Sequence, residues 1–195
     1  MEADDAALVA GIRSGDTAAF DRAYELYRPR LFAFLLRVSR RRAIAEDLLD
    51  ETWLRLVAHA GSLRPDTRLA PWLFTVARNL YWTHRRSSLL EESAASELLT
   101  LWPAPEAWPS PFDLAAAGEL EQRLEHALAG LAPQQREVLL LVGYEGLTPA
   151  EAAAVCRVTP ETMRQRLSRA RAALSAALHR PLPRPLGSRG VMEHG

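Results

Sequence analysis

Apolar residues recur along this chain every three or four positions, the spacing that places side chains on one face of an α-helix. A clear example is formed by Phe20, Tyr24, Tyr27, Leu31, Phe34 and Val38. No segment alternates apolar and polar residues in the way that a half-buried β-strand does. The pattern therefore predicts an all-α protein.

Four helices are predicted in the first half of the chain. The first covers about 5–14, and the second begins after Asp16, a residue type that caps helix N-termini. Pro29 lies inside the second apolar pattern and predicts a kink or break there, because proline cannot donate the helical hydrogen bond. The third helix covers about 44–60 and the fourth about 71–86. Their apolar faces can pack together as a small first domain.

The composition changes after the fourth helix. Residues 87–118 hold four of the 13 prolines, and no basic residue lies within 91–120. This composition predicts an acidic, Pro-rich linker with a short helix near 89–101. Trp102 and Trp108 are unusual in a linker and suggest contact with one of the domains.

Helical periodicity returns over 119–178, which predicts a second domain after a first domain of residues 1–86. The final segment, 179–195, is rich in proline and glycine and is predicted to be a disordered tail. The predicted fold class is therefore all-α, with two small helical domains joined by the linker 87–118.

Two helix starts lie close together in the second domain. Thr148 precedes Pro149 and has Glu151 three positions later, which is the pattern of a capping box. Thr159 precedes Pro160 in the same way, eleven residues further along. Two short helices joined by so brief a turn predict a helix-turn-helix, whose second helix is shaped for a DNA major groove.

The second helix of this pair divides into two faces. Its apolar residues predict a buried stripe of Met163, Leu167, Ala170 and Leu174. The residues on the outward face are Glu161, Arg164, Gln165, Ser168 and Arg169. Side chains of these types can read base edges or bind phosphate. The alternative interpretation is a solvated basic face on an ordinary helical hairpin.

A second basic face is predicted on the fourth helix. With its apolar stripe inward, this helix projects to the other side Arg78, Asn79, Trp82, Arg85 and Arg86. Arginines beside an exposed aromatic ring suit single-stranded DNA, because bases stack on the ring while arginines bind the backbone. The preceding loop adds Arg64 and Arg68. The alternative interpretation is that Trp82 belongs to the core and the arginines are merely solvated.

An acidic cluster lies near the start of the third helix. It consists of Glu46, Asp47, Asp50 and Glu51. Acidic residues there complement the helix dipole, which is a sufficient structural reason for them. A metal site has little support because no histidine lies nearby. A docking surface for a basic partner is the more informative hypothesis.

The composition and charge of the whole chain exclude several classes of function. All 24 basic residues are arginine and balance 24 acidic residues, yet local patches remain charged. Cys156 is the only cysteine and the five histidines lack metal-ligand spacing, so no disulfide, metal or cofactor is expected. No apolar run is long enough to span a membrane and the N-terminus is acidic, so we expect a cytoplasmic protein without membrane insertion. Without a nucleophile–base pair or phosphate loop, neither catalysis nor a small-molecule substrate is expected.

The order of these motifs resembles that of an extracytoplasmic-function sigma factor of bacterial RNA polymerase. The segments that carry the resemblance are AEDLLDETWLRL (45–56), APWLFTVARNLYWTHRR (70–86) and ALAGLAPQQREVLLLVGYEGLTPAEAAAVCRVTPETMRQRLSRARAAL (127–174). The resemblance covers roughly 15–86 and 119–178. The paired motifs in this order are specific, whereas a helix-turn-helix alone is not.

The resemblance implies a role for each segment. The positions that match the polymerase-docking helix are Asp47, Asp50, Glu51 and Leu54. Residues 64–86, with the basic residues and Trp82 named above, match the part that captures and melts the promoter −10 element. The positions that match the −35 reading helix are Thr159, Glu161, Thr162, Arg164, Gln165, Ser168 and Arg169. The resemblance also implies three partners: core RNA polymerase, promoter DNA and an anti-sigma factor.

Three positions depart from the pattern of the family. Arg157 lies where glycine is common in the turn, and a left-handed backbone there should cost arginine some stability. Thr83 lies where many relatives carry aspartate in the −10 helix. Cys156 stands where a buried aliphatic residue is common, so a core thiol is expected.

Other interpretations stay open at this point. The chain could be a stand-alone helix-turn-helix regulator that binds duplex DNA without acting as a polymerase subunit. An enzyme that uses the acidic cluster has the least support. In each case we expect the two domains to be joined flexibly in the free protein, because the linker is proline-rich and acidic.

Overall fold

The computed structural model describes residues 2–95 and 118–179, and these are helical without a β-strand. The first part forms α1 (Glu2–Ser14), α2 (Thr17–Ser39), α3 (Arg42–His59), a 3-10 turn (Ala60–Ser62) and α4 (Leu69–Ala95). The second part forms α5 (Glu119–Ala129), α6 (Pro133–Leu139), a π-helical turn (Leu140–Tyr144), α7 (Pro149–Cys156) and α8 (Pro160–Leu178). The all-α prediction is confirmed.

The start of α2 is as predicted, but its interior is not. Asp16 caps the helix, since its side chain accepts a hydrogen bond of 2.9 Å from the backbone nitrogen of Ala18. Of the predicted kink or break at Pro29, the break is wrong, because α2 continues through this residue to Ser39. Proline leaves the carbonyl of Glu25 without its helical partner. Both residues are exposed, so water can satisfy that carbonyl.

The core of the first part lies between α2, α3 and α4. Leu31, Phe34, Leu56, Leu73 and Phe74 are buried there almost completely. The rings of Phe34 and Phe74 meet edge to face with their centroids 5.4 Å apart, a favourable aromatic geometry. These residues come from three different helices, so the core fixes how the helices lie relative to one another.

α4 is longer than the sequence predicts. It ends at Ala95, so residues 87–95 of the predicted linker continue the helix. The predicted short helix near 89–101 is therefore the end of α4 as far as residue 95. The remainder of the linker, with Trp102 and Trp108, lies outside the described residues, as does the predicted tail beyond 179.

The helix-turn-helix forms as its capping residues predict. The Thr148 hydroxyl oxygen accepts a 3.2 Å hydrogen bond from the Glu151 backbone nitrogen, and the Glu151 carboxylate accepts one of 2.8 Å from the Thr148 backbone nitrogen. Thr159 caps α8 through a 3.2 Å hydrogen bond from the backbone nitrogen of Thr162. Arg157 has φ of 54° in the turn, the left-handed conformation expected for that position.

The two helical parts pack directly against each other. α4 lies against α7 and α2 lies against α6. Buried residues of both parts belong to one continuous core cluster. The expected flexible connection between the two domains stays a prediction, because most of the linker lies outside the described residues. Ion pairs between residues far apart in the chain hold the two parts together, and the sequence pattern alone did not reveal them.

Candidate nucleic-acid and polymerase interfaces

The second helix of the helix-turn-helix, α8, presents one polar face to solvent. Met163, Leu167 and Ala170 are buried beneath it, and Leu174 is half-buried. The exposed residues of the opposite face are Glu161, Arg164, Gln165, Ser168 and Arg169. The structure thus places every residue of the predicted reading face on one accessible surface.

Arg164 is oriented on this face by an acidic neighbour. Its Nε donates a hydrogen bond of 3.2 Å to Oε2 of Glu161, and Nη2 contacts the same oxygen. The hydrogen bond and the positive charge of Arg164 lower the pKa of Glu161. A guanidinium held in this way retains donors that can bind a base edge or a phosphate.

Thr159 and Thr162 have a different local role from the other predicted −35 residues. Their hydroxyl oxygens lie 2.8 Å apart in a hydrogen bond, and the Thr159 oxygen also caps the helix. Thr159 is exposed and Thr162 is half-buried. Both therefore support the start of α8, where the backbone N–H groups of a helix point outward.

The face of α4 is not fully open to solvent, because the second part of the chain covers two of its predicted residues. Nε1 of Trp82 donates a hydrogen bond of 2.8 Å to Oε1 of Glu137. Nε of Arg78 lies 2.7 Å from the same oxygen, as an ion pair. The side chain of Glu137 is only 1% exposed and that of Arg78 is 15% exposed. A carboxylate from α6 thus covers these two groups.

The remaining predicted −10 residues are more accessible. Arg86 is exposed, whereas Asn79 and Arg85 are half-buried. The guanidinium of Arg85 lies 5.5 Å from the centroid of the Trp82 ring. In the loop before α4, the exposed Arg64 pairs with Asp66, and Arg68 pairs with Glu151 of α7. Thr83, the departure from the family pattern, is exposed.

The acidic face of α3 is open to solvent and carries apolar residues as well. Asp47 and Asp50 are exposed, and no ion pair with another described residue involves them. Glu51 pairs with Arg55 at 2.7 Å on the same helix. Leu54 and Val57 are 63% and 58% exposed. Apolar side chains beside free carboxylates are typical of a protein-binding surface. Val57 was missed by the sequence analysis.

Four glutamates of the second part form ion pairs across the interface between the two parts, and the sequence analysis missed their role. The ion pairs are Arg30–Glu145, Arg37–Glu125, Arg68–Glu151 and Arg78–Glu137. Burial raises the pKa of Glu137 and of Glu145, although the neighbouring arginines oppose this effect. The only local signal in the sequence is the position of Glu137 between Arg136 and the apolar run that begins at Val138.

Cys156 is a core thiol, as the sequence predicts. It is buried, and burial raises its pKa to about 12. Among the described residues, no group of histidine, cysteine, aspartate and glutamate side chains could hold a metal ion. No helix within 2–95 or 118–179 has the length and apolar character needed to cross a membrane.

Comparison with known families identifies the class of protein to which the chain belongs. The model of sigma-70 region 2 matches residues 23–88, which contain the acidic face of α3 and most of α4. The model of sigma-70 region 4 matches residues 121–174, which contain the helix-turn-helix. A chain with both regions in this order is a sigma factor, a class of transcription initiation factors rather than enzymes.

Individual relatives define the group within that class. The chain is 36% identical over 154 residues to the ECF RNA polymerase sigma factor EcfG of Rhodopseudomonas palustris, covering 77% of this chain and 80% of that one. It is 34% identical over 157 residues to the RNA polymerase sigma factor CarQ of Myxococcus xanthus, covering 80% and 87%. The chain therefore belongs to the ECF RNA polymerase sigma factors, which direct transcription initiation.

A solved structure agrees in fold. The sigma factor RpoE of Bartonella quintana, determined in complex with the anti-sigma factor NepR, superimposes with a TM-score of 0.68 at 30% identity. The match covers 82% of this chain and 96% of that one. The sigma factor CnrH, in complex with the cytosolic domain of CnrY, has the same fold with a TM-score of 0.64 at 24% identity.

Proposed function

We propose that residues 1–86 and 119–178 are the two functional domains of a promoter-specificity subunit, connected by 87–118 and followed by a tail from 179. The observation that carries this proposal is the division of α8 into a buried apolar stripe and an exposed polar face. Arg164 and Gln165 on that face are residue types that form bidentate contacts with guanine and adenine edges. We therefore assign reading of the duplex −35 element to this helix.

The acidic face of α3 is the surface that we assign to core RNA polymerase. Its carboxylates at Asp47 and Asp50 are free to meet a basic partner, and Leu54 offers an exposed apolar contact. Glu51 adds a third carboxylate at the edge of the face, beside Arg55. A surface that combines charge complementarity with an apolar anchor supports specific protein association.

We assign the −10 element to the residues of α4 and its preceding loop. The set is Arg64, Arg68, Arg78, Asn79, Trp82, Arg85 and Arg86. Guanidiniums around an indole ring suit an unpaired strand, since every base has a face that can stack and a phosphate that needs a counter-charge. In the present arrangement part of this set is covered, so its use requires the two domains to separate.

The partners follow from this assignment. They are core RNA polymerase, promoter DNA and an anti-sigma factor. The third is supported by the structure of the similar RpoE, which is a complex with an anti-sigma factor. We propose no catalytic step and no cofactor. We place the protein in the cytoplasm, where bacterial transcription takes place.

Transcription with purified components tests the proposal. The full chain is added to core RNA polymerase with a library of duplex promoters, and transcripts are sequenced. We expect initiation from a defined subset that depends on the chain. The double variant Asp47→Arg with Asp50→Arg should lose core binding while its circular dichroism is unchanged. The control is Asp21→Arg with Glu25→Arg, which reverses two exposed carboxylates on α2. DNA binding without any polymerase-dependent initiation would instead identify a stand-alone regulator.

A further inference from the structure

A cavity of about 530 Å³ opens between α4 and the helix-turn-helix. Its size falls within the range of sites that hold small molecules. The described residues that line it come from both domains and include four arginines, whereas none of them is acidic. A cleft lined by one sign of charge concentrates the opposite charge, so this cavity attracts an anion.

The four arginines reach the cavity from three structural elements. Arg78 and Arg86 lie on α4, Arg157 lies in the turn of the helix-turn-helix, and Arg166 lies on α8. The first two belong to the first domain and the other two to the second domain. The cavity is therefore complete only when the two domains are packed together, as they are in this structure.

Three of these arginines have no carboxylate as a partner. Within the described part of the chain, no ion pair involves the guanidinium of Arg86, Arg157 or Arg166. The fourth, Arg78, pairs with Glu137 at 2.7 Å. Burial raises the pKa of Glu137, and the charges of Arg78 and Arg166 oppose that rise. The charge of this one glutamate does not balance four guanidinium groups.

Arg157 lines the cavity at a cost in backbone energy. Its φ of 54° lies in the left-handed region, which disfavours every residue that has a Cβ atom. Its side chain is exposed, so burial does not offset that cost. Backbone strain of this kind is concentrated at binding sites, where a side chain is held for a ligand. Glycine would relieve the strain but would remove one guanidinium from the cavity wall.

The charge and spacing of the arginines select an anion with more than one phosphate. A guanidinium binds phosphate through two parallel hydrogen bonds, a geometry that suits it better than other anions. One phosphate group carries a charge of about −2 at most, which is less than the three unpaired arginines can neutralise. Arg78 and Arg86 lie eight residues apart on α4, about 12 Å along the helix axis, so they have room to bind different phosphates.

Neutral groups in the cavity suit the rest of such a ligand. Oδ1 of Asn79 accepts a hydrogen bond of 3.4 Å from Arg78, which leaves the amide nitrogen of Asn79 as a donor. Gln134 on α6 adds a second amide, and the ring of Trp82 also lines the cavity. An aromatic ring beside amide groups can bind a nucleobase. The phosphates can therefore come from a nucleotide or from inorganic polyphosphate.

We propose that this cavity binds the di- or triphosphate group of a small polyanion, with Arg78 and Arg86 of the first domain and Arg157 and Arg166 of the second contacting its oxygens. A ligand that binds only the packed arrangement stabilises it by mass action. The inference goes beyond the proposed function and does not depend on it, because Gln134, Arg157 and Arg166 belong to neither assigned DNA surface.

Isothermal titration calorimetry of the full chain at low salt tests the proposal. The probes are inorganic phosphate, inorganic tripolyphosphate and ATP, each without a divalent cation that would compete with the arginines. We expect one site for tripolyphosphate and for ATP, with binding of inorganic phosphate weaker by roughly tenfold or more. Equal affinity for tripolyphosphate and ATP assigns the site to the phosphate chain alone, whereas tighter binding of ATP adds a contact with the base.

Arg166→Gln and Arg157→Gly each remove one guanidinium and should weaken binding of tripolyphosphate on the order of tenfold. Arg171→Gln is the matched control, because it makes the same change at an exposed position of α8 that does not line the cavity. It should change the affinity by no more than about twofold, since salt screens distant charges. Circular dichroism checks that each variant keeps its helices. Arg157→Gly also relieves the strained turn, so unfolding does not explain a loss of binding in this variant.

Three results would overturn the inference. They are no binding of tripolyphosphate, equal affinity for inorganic phosphate and tripolyphosphate, or the same weakening by Arg171→Gln as by Arg166→Gln. A fluorescein-labelled pool of random single-stranded DNA supplies a further test, since Arg166→Gln should leave its affinity unchanged. An equal loss for DNA and tripolyphosphate would assign Arg166 to a general nucleic-acid surface and overturn the inference as well. If core polymerase still initiates with the chain in any of these cases, the proposed function stands and only the polyphosphate site fails.

Discussion

The indole nitrogen of Trp82 donates a hydrogen bond of 2.8 Å to Oε1 of Glu137, a residue of the other domain. The same oxygen lies 2.7 Å from Nε of Arg78. One buried carboxylate thus engages both the aromatic and the basic component of a surface whose residue types suit single-stranded DNA. This relationship links the state of the domain interface to the availability of that surface.

The two DNA surfaces should contribute to different steps. Arg164→Ala removes a base-edge donor on α8 and should reduce discrimination at the −35 element by about 1–3 kcal/mol. It should spare initiation from a template whose −10 bubble is already melted. Trp82→Ala should impair opening of duplex promoters, with a stacking loss of about 1–3 kcal/mol per base, and should be partly rescued by that template. Holoenzyme initiation on duplex and bubble promoters measures both effects.

Trp82→Ala has a second effect besides the loss of stacking. The substitution also removes the hydrogen bond to Glu137, which favours opening of the domains. The holoenzyme assay avoids this complication, because the wild-type chain and the variant are both bound to polymerase when they are compared. Wild-type activity of Trp82→Ala on both templates would contradict a role of this residue in reading the unpaired strand.

Stability should depend on pH through Glu145. Burial raises its pKa above the ordinary value of 4.5, so the folded chain binds the proton more readily than the unfolded chain. The favourable contribution is therefore complete below pH 4.5 and is lost as the pH rises through the raised pKa. Glu145→Gln removes this titration, so the stability of the wild-type chain relative to the variant should fall as pH rises above 4.5.

The measurement is the free energy of unfolding in urea over a range of pH values for both chains. Glu46→Gln is the matched control, because its pair with Arg42 is exposed on α3. A stability difference between the wild-type chain and Glu145→Gln that does not change with pH would contradict the expected direction.

The turn of the helix-turn-helix should be more stable with glycine. Arg157 has φ of 54° and an exposed side chain, so its backbone is strained without compensation from burial. Arg157→Gly relieves the strain, whereas Arg157→Ala retains it. We expect the glycine variant to be more stable than the alanine variant by about 1 kcal/mol in urea unfolding. Equal stability of the two variants would show that this backbone conformation is not strained.

Cys156 should be unreactive while the chain is folded. Its pKa of about 12 and its burial leave little accessible thiolate near neutral pH. Alkylation by iodoacetamide at pH 8 should be slower in native chain than in urea-unfolded chain by roughly a hundredfold or more. The exposed variant Ser62→Cys provides the reference for an accessible thiol. Rapid modification of native Cys156 would instead indicate frequent opening of the second domain.

The sequence by itself determined the helices and the exposed polar face of α8 in the second domain. The capping contacts of Thr148 and Thr159 join residues three positions apart, so their pattern is visible in the chain. The exposed face of α8 follows from helical periodicity alone, because its buried side is a regular apolar stripe. The same local information indicated the acidic residues of α3, whereas the buried thiol of Cys156 was expected from the resemblance to the family.

Only the tertiary structure decided which way the face of α4 points. Periodicity separates its apolar stripe from Arg78 and Trp82, but it does not say what lies opposite them. The partner is Glu137, 55 residues further along from Trp82, and Arg30 and Arg37 find their glutamates 115 and 88 residues away. Such contacts depend on how the domains meet, and no local pattern encodes that. Pro29 illustrates the same limit, since its tolerance within α2 depends on whether the neighbouring carbonyl faces water.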